Sequence, residues 1–210
     1  MYLQREQADA LIQTSSTTIR ECIQSHLAFV KELLEGDDWS FVIKTQALLE
    51  ACVTEAVLVR LGDDRIKKTV ETMPLVGDEA SKLQLAKDLD LMDTPQRRFI
   101  KKLASLRNRL AHRVEYVNFK FPDYIASLDR DARKDWQDSV VWFGQEPASR
   151  EQWREIALKQ PLWAVLMSTF LVAALLEVED NQAKLMRAID AASEKTTTEL
   201  LKYLHGASGV

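Results

Sequence analysis

Apolar residues recur at three- and four-residue steps along almost the whole chain, and little interrupts them. Only 6 Gly and 5 Pro punctuate 210 residues, so turns are few and the elements between them are long. That combination favours helices. "RVEYVNFKF", 113–121, alternates briefly, but one extended segment does not make a sheet. The expectation is an all-α protein, a single helical bundle over 1–210.

The punctuation predicts the elements. Residues 2–35 carry Leu11, Ile12, Ile19, Ile23, Leu27, Val30 and Leu34 on one helical face, with "TSSTT" at 14–18 able to break it. "GDD" at 36–38 ends this helix and caps the next. The stretch 38–61 is apolar nearly all round and belongs at the centre; Gly62 ends it. A short helix follows over 64–72. Asp78 or Ser81 caps "SKLQLAKDLDLM". "DTP" at 93–95 opens a helix running through Phe99, Ile100, Leu103, Leu106, Leu110 and Val114. Residues 117–150 read as an irregular insertion with one candidate helix in "DRDARKDWQDSVVWF". One or two helices fill the C-terminal part, 151–205. Within it, residues 162–176 are fifteen without a charge, short of the ~20 needed to span a bilayer. A buried core helix, with no membrane partner, is the expectation.

Apolar residues at 46% and charged residues at 29% mark a globular chain rather than a disordered one. The net charge of −4 gives the whole molecule no general attraction for polyanions. Its distribution is uneven: Arg97–Lys120 holds eight Lys or Arg against Glu115 alone. Such a patch is either a solvated helix face or the seat of a phosphate-bearing ligand. Cys22 and Cys52 form no CxxC and no His/Cys cluster, so neither a metal site nor any other cofactor is expected. "MYLQREQADA" lacks the basic start and apolar core of a signal peptide, and a reduced cytoplasmic protein is the simplest reading.

The stretch with chemistry in it is "LASLRNRLAHRVEY", 103–116. On a helical wheel the apolar residues gather on one arc, and Asn108 and His112 stand side by side opposite, one turn apart. Arg107 sits at the edge of the apolar arc. A charge there needs a partner, because an unpaired buried charge is costly. Either it pairs with Glu50 or Glu55 of the apolar 38–61 helix, or it lines a cleft and meets an anionic group. His26 and His205 have no evident partner. The five Trp (39, 136, 142, 153 and 163) can stack bases, but at helical spacing they read as core or interface. No P-loop, GxGxxG, GxSxG or HExxH occurs.

"LRNRLAH", 106–112, fits the R-x(4–6)-H pattern and resembles the HEPN superfamily in its Arg-Asn-x-x-x-His form. "SKLQLAKDLDLMDTPQRRFIKKLASLRNRLAH", 81–112, and "ALLEACVTEAVLVRL", 47–61, resemble the mannitol-operon-repressor-like branch in the same order. The likeness covers 38–112; Asp90 stands where that branch usually has Gly, and Leu110 where Phe is common. Residues 117–210 carry no resemblance. The likeness implies a HEPN-like core over 38–115, built on an antiparallel helix pair, with an additional C-terminal helical region. It also implies a homodimer.

Two functions follow from that likeness. One is a metal-independent endoribonuclease or RNA-binding protein of toxin, defence or stress type, with an antitoxin or regulatory protein as possible partner. There Arg107 offsets phosphate charge, His112 acts as acid or base, and Asn108 orients. Lys101, Lys102, Arg109 and Arg113 attract the RNA backbone. The other is a non-catalytic regulatory or protein-interaction module.

Overall fold

In the computed structural model, residues 27–207 are described, apart from Asp78 and Gln145 and a few side chains. Among the described residues there are nine α-helices and no strand. They are α1 (Leu27–Glu35), α2 (Asp38–Leu61), α3 (Lys67–Thr72), α4 (Lys82–Asp88), α5 (Thr94–Ala111), α6 (Phe121–Ser127), α7 (Arg130–Val140), α8 (Pro147–Lys159) and α9 (Pro161–Ala207). The all-helical reading of the sequence is therefore right at the level of fold class. The expected break at "TSSTT" lies outside the described residues.

The helix ends fall where the capping chemistry puts them. Asp37 caps α2 by accepting the Ser40 amide at 2.8 Å. At the other end Gly62 takes φ +66° and returns its N–H to the Leu58 carbonyl. Ser81 caps α4 through the Gln84 amide. Asp93 opens α5 with a capping box, its own amide donating to Gln96 Oε1 at 2.7 Å, and Pro95 occupies the first turn.

The apolar-all-round α2 lies at the centre, packed against α9, α5, α4, α1 and α3. Phe41, Val42, Leu49, Val53, Ala56 and Val57 are buried along it. The predicted apolar arc of α5 (Phe99, Ile100, Leu103, Leu106 and Leu110) is buried in full; the Val114 side chain is outside the described set. Trp39 Nε1, at the start of α2, donates to the Leu110 carbonyl at the end of α5. At the other end of α2, Arg60 pairs with Glu179 of α9, and Glu179 shares a shallow cleft with Gln96 at the start of α5.

Residues 117–150 correct the expectation of an irregular insertion. They carry α6 and α7, and Phe119, Phe121, Ile125, Trp136, Val140 and Val141 join the same hydrophobic core as α2 and α5. Two anchors hold the segment in place. Asp38 Oδ2 accepts the Phe121 amide at 2.7 Å, and Trp136 Nε1 donates to the Ala157 carbonyl at 2.9 Å. The seven-residue α6 is too short to show a helical period, whereas α7 lies within the helix expected in "DRDARKDWQDSVVWF".

The long α9 is apolar and long enough to cross a membrane by length and composition, and over half of its apolar window is buried within the fold. Ala164, Val165, Leu166, Ser168, Thr169, Val172 and Leu176 face the core. Past Lys184 the described side chains of α9 are all exposed, and Leu185, Met186 and Ile189 are each more than half exposed.

Candidate functional site

The C-terminal end of α5 carries the Arg-Asn…His residues. Burying the apolar arc turns the remaining circumference of α5 outward, and Lys101, Asn108, Arg109 and His112 are exposed. His112 occupies the C-cap position, and its backbone N–H donates to the Asn108 carbonyl at 3.2 Å. Its neighbour in the wheel, Asn108, accepts a hydrogen bond from Arg107 Nη1 at 3.2 Å.

Arg107 does not pair with Glu50 or Glu55. Glu50 accepts the Lys82 ammonium at 2.9 Å instead, and Glu55 is exposed. Of the two readings of Arg107, the Glu–Arg tie between α2 and α5 is absent, and Glu50 forms a Glu–Lys tie between α2 and α4. Arg107 is half-buried, meets no acid among the described residues, and keeps a buried Nε with no acceptor. A guanidinium in that state has donors to offer an anionic group.

The other cations of the patch divide by face. Arg98 and Lys102 both reach Asp135 of α7, Arg98 at 2.6 Å and Lys102 closer still. Lys102 first, then Arg98, hold the Asp135 carboxyl below its usual range. Arg113 pairs with Glu115 at 3.3 Å. Lys102 and Arg113, expected as phosphate contacts, therefore already have acid partners. Lys101 has none among the described residues. So three of the eight cations in the positive window are paired locally, two of them on one carboxylate.

Arg109 has aromatic partners. Its guanidinium lies 4.8 Å from the Tyr124 ring centre and 5.9 Å from that of Tyr116. These groups wall a half-open cavity of about 360 Å³ with Asn118, Lys120 and Asp123. The two tyrosines were not among the sequence candidates. Tyr124 is fifteen positions from Arg109, and only the aromatic and basic residues interleaved in "VEYVNFKFPDY" hinted at it.

Neither Arg107 nor His112 lines this cavity or the smaller one beside it, which Lys102, Ser105, Arg109 and Tyr124 share. The Arg109 wall and the Arg107–Asn108–His112 group are neighbours on α5 but separate surfaces. His26 and the side chain of His205 lie outside the described residues, as does Cys22. Among the described residues no group of three His, Cys, Asp or Glu is placed to hold a metal ion. One chain therefore presents at this end of α5 a single exposed imidazole, an adjacent amide and a guanidinium without an acid. No protein-family model, curated protein or solved structure matches the chain.

Proposed function

We propose that this chain is a HEPN-like protein that binds RNA at the C-terminal end of α5 and, as a homodimer, cleaves it without a metal ion. The observation that supports this most is Arg107: half-buried, free of any acid among the described residues, and joined through Asn108 to the turn that bears exposed His112. The opposed ends of α2 and α5, tied by Trp39 and Leu110, suit the antiparallel pair of that superfamily.

The chemistry follows from these groups. A base removes the 2′-hydroxyl proton, the 2′-oxygen attacks the phosphorus, and the 5′-oxygen leaves with a proton from an acid, giving a 2′,3′-cyclic phosphate. Imidazole performs either proton transfer near neutral pH. The guanidinium offsets the charge that grows on the phosphorane. One imidazole from this end of α5 in each chain suits a site shared by two copies, and the exposed Leu185, Met186 and Ile189 on α9 are apolar surface that an oligomer would cover. A toxin-like use, with a second protein holding the activity in check, is part of the same proposal.

A second reading has one observation in its favour. His112 is a helix C-cap that lines none of the described cavities, as a regulatory or interaction module would allow. The test is cleavage of a labelled RNA pool in EDTA by wild type, Arg107→Ala and His112→Ala, each checked for native folding. Cyclic phosphate ends made by wild type and lost in both variants support the nuclease. Intact RNA with folded wild type favours the module.

A further inference from the structure

Sorting the α5 cations by face exposes a second feature. Arg98, Lys102 and Arg109 sit on the side that packs toward α6 and α7, where Asp135 and two tyrosines receive them. With Arg107 at 0° and 100° per residue, Arg97 falls at about 80°, Asn108 at about 100°, Lys101 at about 120° and His112 at about 140°. This face has no acid partner for its cations among the described residues.

Lys87 of α4 joins it. Lys87, Arg97 and Lys101 line one cleft of about 180 Å³, together with Ser81, Gln84 and the backbone at Gly77, and no described acid lines it. The nearest acid on α4, Asp88, is engaged by Gln84 Nε2 at 2.8 Å. Arg97 is pre-set: Nη1 donates to the Met92 carbonyl and Nη2 to Thr94 Oγ1, leaving its remaining N–H groups for a ligand. Lys87 and Lys101 are exposed and carry no ion pair among the described residues. Three cations converging on one cleft repel one another, and a multiply charged anion relieves that repulsion. The cleft has room for one: each liquid water takes ~30 Å³, and a phosphate fills the space of a few.

We infer that Lys87, Arg97 and Lys101 form a phosphate-binding site, separate from the Arg107–His112 end of α5 but on the same helical face. As a site for a phosphate group it stands on the geometry alone. Its assignment to a backbone phosphate of bound RNA rests on the proposed function. Lys101 and His112 are eleven residues apart, ~16 Å along the helix, so a strand lying along α5 touches both. The site would fix where the RNA lies and carry no base specificity.

The experiment has two arms on the full chain. Amide NMR with inorganic phosphate reads the site directly; saturating shifts confined to Gln84, Lys87, Arg97 and Lys101 are expected, and their loss in K87A/K101A. Single-stranded RNA binding in EDTA is then measured at several salt concentrations for wild type, K87A/K101A and K68A/K134A, the last removing two exposed lysines elsewhere. The expected result is at least tenfold weaker binding by K87A/K101A, a salt slope smaller by ~0.7 per lost contact, and under twofold change in the control pair. Absence of saturable phosphate shifts overturns the site. Equal weakening in both pairs reduces it to net charge. Saturable phosphate shifts with no RNA binding by wild type keep the site for a free phosphate ester and remove the RNA reading instead.

Discussion

Lys82 on α4 and Glu50 on α2 form an ion pair at 2.9 Å in which the lysine is only 3% exposed and the glutamate 38%. Glu50→Gln leaves the buried ammonium without a counter-charge, which costs up to about 3–5 kcal/mol in a dry site. Water reaches Glu50, so the expected loss is smaller, about 2 kcal/mol. Lys82→Met keeps the length and removes the charge that must be buried, and it should cost under ~1 kcal/mol. Urea unfolding of both variants tests the asymmetry; equal losses would contradict it.

Asp180 on α9 is buried, and its Oδ1 has no hydrogen-bond partner among the described residues. Desolvation raises its pKa to about 6, with Lys184 and Arg60 opposing and Glu55 and Glu177 adding to the rise. The folded state thus holds a proton that the unfolded chain has released. Asp180's own contribution to stability is therefore greatest below pH ~4, falls as pH rises toward 6, and is level above that. Asp180→Asn should remove this fall, on the order of 2–3 kcal/mol. The variant should melt several degrees above wild type at pH 7.5 and together with it near pH 4. Parallel melting curves across that range would refute the assignment.

Asp135 has the opposite sign. Lys102 and Arg98 lower its pKa, so its contribution is present above the unfolded carboxylate range and lost as pH falls through the lower folded value. The pair is half-exposed, which limits the effect to about 0.5–1 kcal/mol. Asp135→Asn should cost that much at pH 7, less in 1 M salt, and progressively less as pH falls below the usual carboxylate range. It also frees Arg98 and Lys102, so RNA affinity at low salt should rise several-fold, read by the same binding titration.

Asp90 takes φ +53° after α4. Its amide donates to Lys87 O and that of Leu91 to Ala86 O, the paired bonds of a left-handed helix stop. Asp90→Gly should stabilise by roughly 1 kcal/mol, or ~2–4 °C in Tm. Asp90→Val should lower Tm, because a branched side chain fits the left-handed region worst. Differential scanning calorimetry of the pair separates strain from any loss of charge.

Much of this was legible in the chain itself. Asp37, Gly62, Ser81 and Asp93 mark helix ends by local hydrogen bonds, which need only neighbouring residues. The inward arc of α5 follows from a 3.6-residue period. Partner choice was not legible. Glu50 was one of two candidate partners for Arg107 and meets Lys82 instead, because a pattern on one helix says which way a side chain points and nothing about which helix lies opposite. Residues 117–150 looked irregular because Phe121, Ile125 and Trp136 find their apolar neighbours on other elements.

The sequence by itself determined the long helices, the caps at Asp37, Ser81 and Asp93, and the face of α5 that carries Asn108 and His112. Those features depend on interactions within a few residues, whose geometry a helix repeats without outside help. Only the tertiary structure decided which cations meet an acid partner. Asp135 is thirty-three positions from Lys102 and quenches it, while Lys87 is fourteen from Lys101 and leaves it free. Electrostatic pairing acts through distance in space, and the fold alone sets that distance.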